Sequence, residues 1–402
     1  KHIIQNIDLI EINDFKYIVK KSESIINKMN QAYLSFNDSH FVFQNSNPVD
    51  YSTIRKELHG FPSYYESKGK LIKESIKKIT QKFYYQLKIK DVVINLYFYD
   101  ESKNEVYFRN IGQLIYLFVT VFGVNLEVFN NYNLRLLLID FPRRLDSKKQ
   151  TTSDSFRNLS EEGLFNNSSG VNIFSKKELV VTRKSGLTGL LIHELIHMLG
   201  LDFCYNFTDN DHVNLASWKK DWVKENNIKD KGNNIVSFIE SICNTTSCYF
   251  LAIYNSIYLH HKLKTDSVNK YFKYFFYLET IYCYLNAIKL LGYFNFKSYD
   301  SFFNNTENKI FYQNALVFEY IVLRMFIISD YYKLLLKMMV KYNFNELTNS
   351  ELNLDIQYDL NQNLLQLSRE KTLRNIFDSI SKALDQYEDR NNYMEYFLTT
   401  MW

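Results

Sequence analysis

Residues 188–200 run Thr188-Gly189-Leu190-Leu191-Ile192-His193-Glu194-Leu195-Ile196-His197-Met198-Leu199-Gly200. Apolar side chains fill the segment almost without interruption and glycine closes it, so it reads as a buried helix over 186–200. Residues four apart lie one above the other on a helix, so His193 and His197 present two imidazole nitrogens to a common point. Glu194 stands beside them, where its carboxylate can take a proton from a water held at that point. Two neutral imidazoles with an open position suit a borderline ion such as zinc. The bland counterpart is a pair of core histidines, hydrogen-bonded and inert on an apolar helix.

Outward from this helix the pattern changes. Val171-Asn172-Ile173-Phe174 and Leu179-Val180-Val181-Thr182 are short, β-branched and apolar, and predict two strands just before it. Farther upstream, Val92 to Tyr99 predicts a strand, 111–123 a helix, and Leu134 to Ile139 a second strand. The polar stretch 143–169 predicts a long surface loop. Residues 12–36 and 69–88 read as amphipathic helices, the second with Ile72, Ile76, Ile79 and Phe83 on one stripe. All three prolines, Pro48, Pro62 and Pro142, lie upstream of the motif, and beyond Gly232 the only glycine is Gly292. A tract so free of breakers should be helical, with helices near 234–262, 266–294, 306–344 and 361–400. The expected architecture is therefore predominantly α with a small α/β segment. It divides into a helical N-terminal lobe (1–89), an α/β core that carries the motif (90–205), and a large helical C-terminal region (206–402).

Composition narrows the function classes. Lys and Arg number 48 against 44 Asp and Glu, and a net charge of +4 on 402 residues is too small for a dedicated nucleic-acid binder. The first 30 residues carry charges throughout and have no apolar core of a secretory signal, so an intracellular location is expected. The longest apolar stretch, Leu114 to Val124, is too short to span a bilayer. Cys204, Cys243, Cys248 and Cys283 form no CxxC pair and read as buried thiols, with a bridge after assembly as the lesser alternative. The bias toward Asn, Lys, Ile, Tyr and Phe fits an AT-rich genome: a large DNA virus, a protist or a low-GC bacterium.

His193 to Asp202 is similar to the metzincin signature HExxHxxGxxH, but Phe203 stands where that family has its third histidine, and no methionine lies between Met198 and Met325 to form its Met-turn. A wider resemblance includes Ser169-Gly170-Val171, the strand near Val180 with Arg183-Lys184, the HExxH helix and Leu201-Asp202-Phe203. It is to gluzincin-type zinc metallopeptidases of large DNA viruses. That resemblance implies a third metal ligand from a glutamate on a later helix, for which Glu240 fits, with His212 and Glu279 as competitors. It also implies Glu194 as general base. The adjacent His260-His261 pair cannot share one helix face and reads as solvated, as does the basic loop with Arg143, Arg144, Lys148 and Lys149.

Two functions are open, and the sequence leans narrowly to the first. It is a self-assembling structural protein built on a zincin-like domain, its metal site vestigial or only stabilising. The alternative is an active zinc peptidase acting on peptide substrates. Tyrosines, numbering 32, suit contacts between copies because each offers apolar area and a hydrogen-bonding tip. A nearly balanced charge lets copies pack without strong repulsion. In length and composition the chain resembles the polyhedrins, the occlusion-body matrix proteins, of nudiviruses. That likeness implies self-association within a viral occlusion body.

Overall fold

The computed structural model describes residues 15–58, 70–123, 126–139, 170–173, 176–184, 186–199, 201, 228–230, 238–264, 267–293, 296–304, 311–313, 318–331 and 350–386. In chain order the elements are α1 (Phe15–Ser35), β1 (Phe41–Pro48), α2 (Tyr51–Glu57), α3 (Lys70–Lys77), β2 (Gln81–Ile89), β3 (Val92–Asp100), α4 (Glu105–Phe122), β4 (Tyr132–Leu137), β5 (Gly170–Ile173), β6 (Glu178–Val181) and α5 (Leu187–Leu199). Then follow β7 (Ile228–Asp230), α6 (Phe238–Leu263), α7 (Val268–Tyr293), α8 (Tyr299–Phe303), β8 (Phe311–Gln313), a π-helical turn (Phe318–Leu323), α9 (Arg324–Ser329), α10 (Ser350–Leu367) and α11 (Lys371–Gln386). The chain is mostly helical with a small α/β part, as its breaker-poor C-terminal tract implies.

Six strands form a mixed sheet in the order β1-β2-β3-β4-β6-β5. The first three pair antiparallel, β4 runs parallel to both β3 and β6, and β5 returns antiparallel to β6 at the end of the sheet. A parallel step needs a crossover, and α4 supplies it between β3 and β4. Asn104 caps that helix by accepting from the Tyr107 amide at 3.1 Å. Alternation along the strands then sorts side chains by face. Phe83, Tyr85, Leu87, Ile94, Leu96, Phe98, Leu134 and Leu136 join the main core with Phe108, Leu114 and Phe118 of α4. On the opposite face Tyr99, Leu137 and Val180 pack with Ile54 of α2 and Ile76 of α3 in a smaller core.

Two expectations for the N-terminal part are corrected. The helix expected over 69–88 ends at Lys77, and residues 81–89 are strand β2, paired with β3 from Ile89↔Val92 to Gln81↔Asp100. Phe83, Tyr85, Leu87 and Ile89 are buried alternately, a period of two that the isoleucine stripe masked. β1 was not expected at all. Its burial stops after Phe41, because it is a polar edge strand that ends at Pro48. The first ninety residues are thus not purely helical, since they contribute two strands to the sheet.

The helices expected over 234–262 and 266–294 correspond to α6 and α7. Within 306–344 the described residues instead form β8, which pairs parallel with β7, then the π-helical turn and the short α9. Where one long helix is expected over 361–400, the described residues form two helices, α10 and α11, divided at residues 368–370, and 387–400 lie outside the described residues. The polar stretch 143–169, with Arg143, Arg144, Lys148 and Lys149, lies outside the described residues, as do Cys204 and His212.

Candidate metal centre

α5 sits at the junction of the two parts of the molecule, touching α4, the last two strands of the sheet, and α6. Leu187, Leu191, Ile192, Leu195, Ile196 and Met198 are all buried, which is what an apolar surface on every side demands. Gly186 begins the helix with φ 72°, a left-handed conformation that favours glycine. Its carbonyl accepts from the Leu190 amide.

The four-residue spacing then acts as expected. His193 Nε2 and His197 Nε2 are 3.0 Å apart. Glu240, in the first turn of α6, brings its Oε2 to 3.1 Å from His193 Nε2 and 3.5 Å from His197 Nε2. A carboxylate in a first helical turn is also favoured by the helix dipole. Donor atoms about 2.0–2.1 Å from a tetrahedral zinc ion lie roughly 3.3 Å from one another. The three edges of this triangle straddle that value. Glu240 Oε2 makes an ion-pair approach to both rings, yet no hydrogen bond of acceptable geometry reaches it among the described residues. Two imidazole nitrogens and a buried carboxylate oxygen with no hydrogen bond of its own among the described residues thus converge on one point, so the donor set suits zinc.

Electrostatics separates the two carboxylates of the site. Burial acts to raise the Glu240 carboxyl, but the imidazole edges of His193 and His197 outweigh it and hold the group well below the usual carboxylate range. For Glu194 burial wins: its pKa is raised, partly offset by the two histidines and reinforced by the charge of Glu240. The two carboxylates are thus pushed in opposite directions, Glu240 toward its charged form and Glu194 toward its protonated one. Glu194 also packs against the edge strand. A Cβ on Gly170 would lie 2.4 Å from Glu194 Oε1 and 2.7 Å from its Cγ, so only glycine leaves room there.

Three contributors escaped the sequence reading in these roles. Tyr320, on the π-helical turn, hydrogen-bonds to Glu240, and its ring centroid lies 6.0 Å from that of His193. Burial first, and then the Glu240 charge, raise its hydroxyl pKa strongly. A π turn inside a tract expected to be plain helix leaves no mark in the hydrophobic pattern, though such turns gather at functional sites. Cys243 places Sγ 3.4 Å from His197 Nδ1, and its spacing of three from Glu240 could have revealed it. Gly170 gave no sign of its own beyond its place in the resemblance.

The other candidates are elsewhere. Glu279, a competitor for third ligand, is fully buried on α7, with its Oε2 3.3 Å from Arg324 Nη2. Cys243, Cys248 and Cys283 are buried and form no disulfide with one another. His260 and His261 are half-buried rather than solvated. His261 stacks on Tyr33 at 4.8 Å, and its Nε2 lies 2.8 Å from Asn30 Oδ1.

Over 257 residues the chain is 25% identical to an uncharacterized protein of Acanthamoeba polyphaga mimivirus. The match takes in 62% of this chain and 61% of that protein, so the chain spans about three fifths of its relative's length. A large DNA virus is one of the sources that the residue bias indicates. No protein-family profile and no solved structure matches the chain. No helix among the described residues is long and apolar enough to cross a membrane.

Proposed function

We propose that this chain is a zinc-dependent peptidase of the zincin type, with His193, His197 and Glu240 as metal ligands and Glu194 as general base. The observation that carries the proposal is the convergence of two imidazole nitrogens and one carboxylate oxygen within 3.5 Å of one another, on two helices that are far apart in sequence. Zinc bound there would lower the pKa of a water molecule and polarise a carbonyl group.

The chain's own groups do the rest. Glu194 accepts the proton of the attacking water as the new C–O bond forms, and returns it to the leaving amine as the C–N bond breaks. Burial raises its pKa, which makes it a stronger base toward that proton. Glu240 stays ionised beneath the two rings, braced by the Tyr320 hydroxyl. β5 ends the sheet beside α5, and Gly170 on it touches Glu194, so an extended peptide added to that edge would pass the base.

The test is metal content and hydrolysis on the same preparation. The full chain should hold one zinc per molecule and cleave members of a quenched fluorescent peptide library. Glu194→Gln should keep the zinc and lose about 10²- to 10⁴-fold in rate, the usual worth of a general base. A chain without zinc, or a Glu194→Gln variant of undiminished activity, overturns the proposal. The self-packing alternative would show instead as zinc-independent assembly into large particles with no hydrolysis.

A further inference from the structure

His197 is gripped from both sides by one turn of α6. Glu240 faces its Nε2, and Cys243, three residues on, faces its Nδ1. The two ring nitrogens of a histidine are never equivalent: one that gives its lone pair to a cation leaves the other to carry the proton. Nε2 is the nitrogen turned toward His193 and Glu240, so with a cation on Nε2 the proton would sit on Nδ1, and the Cys243 sulfur 3.4 Å away is in place to accept from it. His193 differs, since its buried Nδ1 has no hydrogen-bond partner among the described residues. This turn of α6 is tied to its surroundings by hydrogen bonds. Ser241 Oγ donates to the Glu319 carbonyl at 2.6 Å, and Ser247 Oγ donates to the Cys243 carbonyl at 2.7 Å.

We infer that Cys243 is a positioning residue of the metal centre, its sulfur accepting the Nδ1–H of His197 and so setting that ring's tautomer and orientation. This rests on the proposed zinc site and goes beyond it by assigning to a thiol the part that a carboxylate or backbone carbonyl usually plays behind a metal-bound histidine. Cys243 Sγ lies near enough to both histidines to be a ligand itself, and the contact with Nδ1, the ring nitrogen turned away from Glu240, assigns it to orientation instead.

Zinc affinity, measured by chelator competition on the full chain, tests the assignment. Cys243→Ala should weaken zinc binding about 10- to 100-fold, the range found when such outer partners are removed. Cys243→Ser, which keeps an acceptor, should recover most of that loss, although both metal-free variants melt at similar temperatures. Equal affinity in wild type, Cys243→Ala and Cys243→Ser overturns the assignment while leaving the zinc site standing; a wild-type chain that binds no zinc removes the site itself. Cobalt substitution of the unmutated chain provides a check independent of whether the variants fold. An intense sulfur-to-cobalt charge-transfer band would make Cys243 a ligand and refute the positioning role. Its absence, with a ring N–H of His197 that exchanges slowly with solvent, supports it.

Discussion

Gly170→Ala tests whether the edge strand and the base are packed as tightly as their contact implies. The new Cβ would lie 2.4 Å from Glu194 Oε1 and 2.7 Å from both Cδ and Cγ, where ordinary contact starts near 3.4 Å. Something must therefore move by about 1 Å, and the near atoms include Cγ, which is not the free end of a flexible chain. Overpacking on this scale costs about 1–3 kcal/mol. Against that stands a gain of about 0.4–1 kcal/mol from the stiffer unfolded chain, because the φ of Gly170 is not among the positive ones. The net expectation is a destabilisation of about 1–2 kcal/mol by urea denaturation. In a Glu194→Ala background the clash has no partner, and Gly170→Ala should become neutral or slightly stabilising. The coupling energy from the four-variant cycle is then about 1–3 kcal/mol. Hydrolysis should fall in parallel by about 100-fold, since a displacement of 1 Å at a reacting group costs that much. A Gly170→Ala variant as stable as wild type, or one equally damaged in both backgrounds, would refute the packing argument.

Zinc at one hundred times its dissociation constant should stabilise the fold by about 2.7 kcal/mol, and His197→Ala should abolish the shift in melting temperature on adding the ion. Arg324→Met leaves the fully buried Glu279 without the guanidinium 3.3 Å away, and should cost about 3–5 kcal/mol. The double variant Arg324→Met/Glu279→Leu should recover most of that, and a double variant as unstable as the single one would contradict the pairing. Glu57 accepts hydrogen bonds from Lys82 and Tyr99; these outweigh its burial and lower its pKa. Its contribution to stability is therefore complete above the unfolded carboxyl value of about 4.3 and is lost as pH falls through the lower folded value. Glu57→Gln should flatten the acid limb of the stability profile, and an unchanged limb would assign the acid sensitivity to other groups. Asn104→Ala removes the cap of α4 and should cost about 1 kcal/mol in thermal or urea unfolding.

Legibility followed the range of the forces involved. The α5 helix and the shared face of His193 and His197 could be read directly, since a four-residue spacing is a local property of any helix. The long helices α6 and α7 could be read too, from the want of breakers and the helical apolar spacing. The β2 segment could not, because Lys-rich residues with isoleucines near helical spacing run straight into a period of two. Choosing between the two periods needs the partner strand β3. β1 is half-exposed at the sheet edge and carries almost no apolar pattern. Across 306–344, tertiary packing replaced the expected continuous helix, among the described residues, with a strand, a π turn and a short helix.

By itself the sequence determined that a helix would present two imidazoles and a carboxylate side by side, and that helices would dominate the C-terminal half. Those outcomes depend on backbone geometry and on local composition. Only the tertiary structure decided which distant acid would face the imidazoles. Glu240 and Glu279 are both glutamates on apolar helices, equal candidates in the sequence until one packs at the rings and the other lies fully buried beside Arg324. The same packing put Cys243 behind His197, Tyr320 beside Glu240 and Gly170 against Glu194. Contacts between residues far apart in the chain arise from how helices and strands settle against one another, and no spacing along a single element encodes them.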